Sequence, residues 1–375
     1  MGTVESLEPL AAGVADWNAV LQCASNNGVV PLLARAVRNE SAVPLAIRRE
    51  LDKRFSVKAG HNALLARELQ QILLEFQTAG VQAVAYKGPA LAVMAYGDLA
   101  YRNPSSDIDL LLRKDDLPRA KDVVHARGYR VSLTGDEEQH FLQYRYHLHC
   151  ERRDPEIHVE LHWAFTPAYW PFPLDFWSRV QPVQVTGTPV VTLDPECTLL
   201  ALFAHGAKED WPKLSQVLDV GQVIRSHPGM DWNWVFAEAR RMRRERVLRL
   251  GLLLASKCIA TPLPEQVTAE IARERKLAGV VDEIARKFGI GGRVHFLANA
   301  MRIWHHPKDR LLCLAYVLRF LPSRLRTLVW PAELEREMME SPGPNAFFVM
   351  SRLGRAIREH GLMGVLRQAR SQLWL

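Results

Sequence analysis

The feature that most constrains the fold of this chain is a change of period. Up to residue 80 the apolar side chains recur three and four apart. From residue 81 to 163 they fall into short or alternating runs, and from residue 195 the helical spacing returns. An apolar stripe with a period near 3.6 lines one side of a helix, and one with a period of 2 lines one face of a strand. The order therefore calls for a sheet layer in the middle of the sequence, with helices before and after it. Val20, Leu21, Val29, Leu32 and Leu33 carry the helical spacing between Trp17 and Val37. Leu64, Leu65, Leu69, Ile72, Leu73 and Phe76 continue it in a long segment that Pro44 opens and Gly80 is expected to stop.

In the middle stretch, Val81 to Tyr86 reads as a strand ending in the turn Lys87-Gly88-Pro89, and Pro89 to Tyr96 as a short helix with proline in its first turn. Asp107 to Leu112 is a second strand. Asp115 to Arg127 is a helix with an acidic start, closed by Gly128. Tyr129 to Leu133, Gln143 to Cys150, Glu156 to Trp163 and Val183 to Val191 are further strands. The expected fold class is α+β: a small mixed β-sheet core flanked by N-terminal helices and a C-terminal all-helical region. The expected divisions are residues 1–80 as a helical segment packed on the core, 81–193 as the core, 194–340 as a helical domain and 341–375 as an amphipathic basic tail.

A chain of 375 residues, 48% hydrophobic and 24% charged, has enough apolar surface to bury a core and is not a disordered one. Its net charge of +7 suits polyanionic partners: nucleoside triphosphates, nucleic acid or an anionic membrane surface. The five cysteines are scattered and form no CxxC pair, which argues against a disulfide framework and for a reducing, cytoplasmic setting. The N-terminus lacks the basic and apolar regions of a signal peptide, and no apolar run is long enough to cross a bilayer. There is no GxxxxGK[ST] loop, no GxGxxG and no GxSxG, so the common nucleotide-loop and hydrolase readings drop out.

Asp107-Ile108-Asp109 is the strongest chemical signal. On a strand both carboxylates point to one side, where they repel each other when ionised, and a divalent cation between them removes that cost. Magnesium takes one or two carboxylates together with substrate phosphates. A solvated strand end with two surface aspartates is the plain alternative. Glu156 to Trp163 alternates strictly, with Ile157, Val159 and Leu161 on one face and His158, Glu160 and His162 on the other. Glu160 completes a three-carboxylate set of the kind that holds two magnesium ions for in-line displacement at phosphorus. Lys87 is a point charge for a phosphate beside Gly88, which lets the phosphate approach the backbone. Arg102 is a second cation of the same kind.

The order Lys87-Gly88-Pro89-Ala90-Leu91, Tyr96-Gly97-Asp98, Arg102, Asp107-Ile108-Asp109-Leu110-Leu111, Gly128-Tyr129 and Val159-Glu160-Leu161-His162-Trp163 resembles the uncharacterised nucleotidyltransferase family of the DNA polymerase beta-like superfamily. The resemblance implies a nucleotidyltransferase core over residues 81–193. In it Asp107, Asp109 and Glu160 are catalytic metal ligands, and Lys87 and Gly88 face the triphosphate. Two departures stand out: the superfamily's turn carries Gly-Ser or Gly-Gly, whereas here Gly88 is followed by Pro89, and the gap from Gly88 to Asp107 is longer than in the better-known members. His205-Gly206-Ala207-Lys208, Trp211, Leu214 and Asp219 resemble the helical segment that follows the core. There His205, Lys208 and Asp219 are expected along one helical side, with His205 and Lys208 toward the nucleotide; a satisfied intrahelical network is the alternative.

The implied activity is magnesium-dependent transfer of a nucleoside monophosphate from a triphosphate such as ATP to an acceptor, with release of pyrophosphate. Manganese is admissible in magnesium's place. The acceptor is a small molecule, a peptide or a protein. The alternative is a catalytically silent nucleotide-binding or protein-interaction module on the same fold. His147 and His149, with His158 and His162, raise a transition-metal cluster. No HExxH or CxxC supports one, so His162 and His158 are expected instead to orient Glu160. The arginine run of residues 240–246 reads more simply as a solvated helix face than as a nucleic-acid site.

Overall fold

The computed structural model describes residues 7–131, 142, 145–167, 170–274 and 277–290. The chain divides into two compact units, residues 1–167 with 172–299 and residues 168–171 with 300–375. Every element below belongs to the first. The helical run expected beyond residue 290 and the basic tail of 341–375 lie outside the described residues.

The N-terminal helices are α1 (Glu8–Ala12), α2 (Trp17–Asn26), α3 (Val30–Val37) and α4 (Leu45–Thr78). Asp16 starts α2 by accepting the amides of Asn18 and Ala19 at 2.9 and 3.1 Å. Pro31 sits in the first turn of α3, where its missing N–H costs nothing. That start splits the single helical stretch expected over Trp17 to Val37. The N-terminal half of α4 packs with α2 and α3 through Leu51. The C-terminal half packs on the sheet through Leu65, Leu69, Ile72 and Phe76. Gly80 takes φ +69° just after the helix, as its expected role as a stop requires.

The sheet has five strands in the order β1 (Ala83–Ala85), β2 (Asp107–Leu112), β5 (Glu156–His162), β4 (His147–Arg153) and β3 (Arg130–Val131). Only β2 and β5 run parallel; the other neighbours are antiparallel. Helix α5 (Gly88–Tyr96) joins β1 to the loop before β2, and α6 (Leu117–Ala126) follows β2. One face of the sheet is apolar: Ile108, Leu110, Leu112, Leu148, Cys150, Ile157, Val159 and Leu161 are buried with α4 in one core. The α+β class is therefore present as expected.

The segment expected as one strand from Val183 to Val191 is instead a hairpin, β6 (Val180–Val185) and β7 (Thr188–Leu193). Thr186 and Gly187 both take positive φ, +45° and +81°. Two such residues make the tight turn whose twist matches paired strands. After it come α7 (Pro195–Glu209), α8 (Leu214–Ser226), α9 (Trp232–Arg241), α10 (Glu245–Ile259), α11 (Glu265–Ala272) and α12 (Ala278–Ile290). Asp194 caps α7 by accepting the amide of Cys197 at 2.8 Å. No helix among the described residues is long and apolar enough to cross a membrane.

Candidate active site

The second face of the sheet is polar, and the strand register assembles it. The parallel pairing sets Asp109 beside Glu160 and Asp107 beside His158. The antiparallel pairing sets His149 opposite Glu160 and His147 opposite His162. Three strands thus bring Asp107, Asp109, Glu160 and four histidines to one surface, because side chains two apart on a strand share a face.

Asp109 is buried, and both groups that hold it come from predicted positions. Lys87 Nζ donates to Asp109 Oδ1 at 2.8 Å, from the residue just before α5. Gly88 begins that helix at φ +52°, a conformation a side chain resists, and a Cβ there would stand 3.4 Å from Ser105 Oγ. His162 Nε2 lies 3.1 Å from Asp109 Oδ1 and 3.0 Å from Glu160 Oε2. A nitrogen between two carboxylates must carry a proton, and on the other side of the ring the Tyr86 hydroxyl lies 3.4 Å from His162 Nδ1. His162 is thereby the bridge that orients Asp109 and Glu160 together. Asp109 Oδ2, by contrast, is buried with no hydrogen-bond partner. An orphaned carboxylate oxygen is costly, and a cation is the group that would satisfy it.

The charge states follow from these contacts. Burial, and then Asp109 beside it, push Asp107 up to about 6. Burial opposes ionisation of Asp109, but Lys87 and the hydrogen bond from His162 outweigh it and hold its carboxyl well below the usual range. Glu160 behaves alike: burial is outweighed by His162, and its carboxyl is held down at about 2. Burial would strip the proton from Lys87, yet Asp109 keeps its pKa well above the ordinary lysine value. Burial, and then His162, push His147 down to about 3. Burial and then Lys87 and Lys208 push His205 well below its ordinary value. At neutral pH Asp107, Asp109 and Glu160 are therefore ionised, Lys87 is charged, and His147 and His205 are neutral.

Lys87, the three carboxylates and His205 line a cavity of about 640 Å³. Asp107, Asp109 and Glu160 form one wall, and His205, Lys208 and Glu209 of α7 form another. Residues 13–260 match the uncharacterised nucleotidyltransferase family.

The chain belongs to that family. The match runs from just before α2, across the sheet, to the end of α10. No curated protein matches its sequence. Among solved structures, it is similar to the solution structure of the antibiotic-resistance factor ANT(2'')-Ia. That likeness has 16% identity and a TM-score of 0.36, and it covers 49% of this chain and 94% of the other.

The other predicted residues of the nucleotidyltransferase fall as follows. Lys208 and His205 share α7 and reach the cavity; Lys208 Nζ donates to the Tyr146 hydroxyl at 2.6 Å. His205 Nδ1 also sits 3.4 Å from Glu209, one turn on. Asp219 does not share their helix, as had been expected: the break at residues 210–213 places it on α8. There it accepts Arg102 Nε and Nη2 at 3.0 and 2.9 Å and the Tyr96 hydroxyl at 2.8 Å. Arg102 thus lines the cavity while held by a two-pronged ion pair. His158 does not reach Glu160; its ring turns to His149. Lys58 of α4 and Lys213, before α8, also line the cavity. Neither stood out in the sequence, since a lysine on a 34-residue helix looks like any solvated one.

Proposed function

We propose that this nucleotidyltransferase moves a nucleoside monophosphate from a nucleoside triphosphate, ATP among the donors, to a hydroxyl, amine or phosphate acceptor, with pyrophosphate as the leaving group. Asp107, Asp109 and Glu160 would hold magnesium, with manganese admissible because His147 Nε2 lies 3.6 Å from Glu160. The observation that carries this reading is Asp109: one oxygen is neutralised by Lys87 and the other is buried without a partner, beside Glu160 on the neighbouring strand. When bound, the divalent ion supplies charge neutralisation at the phosphoryl oxygens and polarises the acceptor.

The chain's own residues do the positioning. Lys87 neutralises Asp109 and stands where a phosphate meets the start of α5. His162, donating to both carboxylates, keeps Asp109 and Glu160 turned to one point. Lys208, Lys58 and Lys213 supply positive charge on the cavity walls facing the carboxylates, which suits a triphosphate lying between them. Arg102, fastened by Asp219, adds a fixed cation whose orientation does not have to be organised on binding. The reaction is in-line: the acceptor's lone pair forms a bond to the α-phosphorus as the α–β bridging bond breaks, the electron pair leaves on pyrophosphate, and the proton of a hydroxyl or amine acceptor passes to solvent. Holding both partners in place accounts for most of the catalysis.

The test is calorimetric titration of each nucleoside triphosphate with magnesium against the wild type and the Asp107→Ala/Asp109→Ala double variant. Magnesium-dependent binding that the double variant loses supports the reading and names the donor. A folded wild type that binds no triphosphate sinks it and leaves the interaction-module alternative.

A further inference from the structure

The polar face of the sheet carries a second group of ligating side chains, next to the carboxylate site but sharing no residue with it. His149 and Glu151 of β4 and His158 of β5 each bring a ligand atom to within 4.8 Å of the others. Strand pairing makes this possible. His149 and Glu151 are two apart on one strand and so share a face, and Glu151 is the register partner of His158.

The two imidazoles are stacked, with centroids 5.0 Å apart and planes 26° from parallel. His158 Nδ1 and His149 Nε2 lie 3.2 Å from each other. Two zinc–nitrogen bonds of about 2.0–2.1 Å at a tetrahedral angle put the nitrogens roughly 3.3–3.4 Å apart. In the metal-free protein that contact is a hydrogen bond, and exchanging its proton for a tetrahedral ion asks for only a slight widening of the pair. The far nitrogen of each ring has a carboxylate of β5 near it. His149 Nδ1 faces Glu160 at 3.9 Å, and His158 Nε2 faces Glu156 at 3.6 Å. Metal-bound imidazoles characteristically turn their second nitrogen to a carboxylate, which fixes the tautomer and raises the basicity of the ligating nitrogen. Here both rings do so at once.

We propose that His149 Nε2, His158 Nδ1 and a carboxylate oxygen of Glu151 form a site for a divalent transition-metal ion of the zinc class, with a water completing the shell. Magnesium is not the ion, because two of the three ligands are imidazoles and magnesium demands oxygen. An ion there ties β4 to β5 at the level of Glu160. Its charge also reaches Glu160 through His149, whose Nδ1 lies 3.9 Å from Glu160 Oε1, the oxygen that His162 does not hold. The inference stands apart from the nucleotidyl-transfer reading, since none of the three ligands belongs to the magnesium set.

The test uses the full chain, stripped of metal by a chelator and then titrated with zinc in excess magnesium, so that the carboxylate site is occupied. His158→Ala and Glu151→Gln each remove one ligand. His162→Ala reports on the neighbouring group His147, Glu160 and His162. The expected result is one zinc per chain, bound at least about tenfold more weakly by His158→Ala and by Glu151→Gln and unchanged in His162→Ala. Circular dichroism checks that each variant is folded, and either of the two ligand variants suffices. A folded wild type that takes up no zinc overturns the proposal. So does zinc that survives both ligand substitutions and is lost in His162→Ala, which would assign the ion to the carboxylate site. Triphosphate binding with magnesium, measured before zinc is added, separates either failure from a failure of the nucleotidyl-transfer reading.

Discussion

Lys87 Nζ lies 2.8 Å from Asp109 Oδ1. The lysine ends the first strand's turn and the aspartate sits on the next strand, so the pair ties the glycine turn to the carboxylate wall. Its ammonium neutralises a buried carboxylate that also faces the position proposed for magnesium. Replacing Lys87 by Met leaves Asp109 with His162 as its remaining partner, at a cost of roughly 3 kcal/mol of stability in metal-free protein. The expected outcome in urea unfolding is a large loss that added magnesium partly restores, with a greater magnesium-induced gain than in the wild type.

Asp107 sets a pH dependence. Its folded pKa is pushed up to about 6 by burial and by Asp109, above the ordinary value near ~3.9. Between those values the folded chain holds a proton that the unfolded chain has released. The contribution of Asp107 to metal-free stability therefore falls as pH rises through that window. A metal needs the ionised form, so magnesium affinity should rise by about tenfold per pH unit up to about 6 and then level off. Calorimetric titration from pH 5 to 8 reads this directly. Asp107→Asn should flatten the slope as well as weaken binding; a slope unchanged in that variant would assign the titration elsewhere.

Asp219 holds Arg102 with two hydrogen bonds while the Tyr96 hydroxyl donates to the same carboxylate. Asp219→Ala would strand a guanidinium that is nearly inaccessible, and the expected loss is about 3–5 kcal/mol. Arg102→Met combined with Asp219→Leu removes both charges and should recover much of it. Chemical denaturation of the two single variants and the double variant gives the coupling, and additive losses would show that the pair is not a unit.

Lys58 and Lys213 line the cavity, and Lys58 is held below its ordinary pKa by burial and then by Lys213. Their mutual repulsion means that removing either one should not destabilise the free protein. Each alanine substitution should still weaken triphosphate binding by about tenfold, the size of one lost charge-assisted contact. Thermal unfolding and nucleotide titration on the same samples test both halves. A variant with lower stability and unchanged affinity would contradict the assignment.

Gly251 of α10 packs against Phe203 of α7 so closely that a Cβ would stand 2.0 Å from the ring. Gly251→Ala should therefore destabilise by about 1–3 kcal/mol, although alanine is the better helix former. Urea unfolding would show it as a lower midpoint at unchanged slope.

Much of this protein was determined by the sequence alone. Alternation in residues 107–110 and in Glu156–His162 is a local, period-2 property, and it decided both strands and which side of its own strand each of Asp107, Asp109 and Glu160 takes. Gly80 and Gly88 were legible for the same reason, since a positive φ is written into the residue type. The turn at Thr186 and Gly187 was missed because valines on either side of it kept the alternation apparently unbroken. Other features depended on which strand lies beside which. The parallel pairing of β2 with β5 placed His162 between Asp109 and Glu160, and the pairing of β4 with β5 turned His158 to His149 instead of to Glu160. The folding of α8 back toward α5 gave Asp219 to Arg102. Period and propensity act over a few residues along the chain. Pairing register and helix packing join residues that local period does not relate, from nine residues apart for His149 and His158 to 117 for Arg102 and Asp219, so only the tertiary structure decided those contacts.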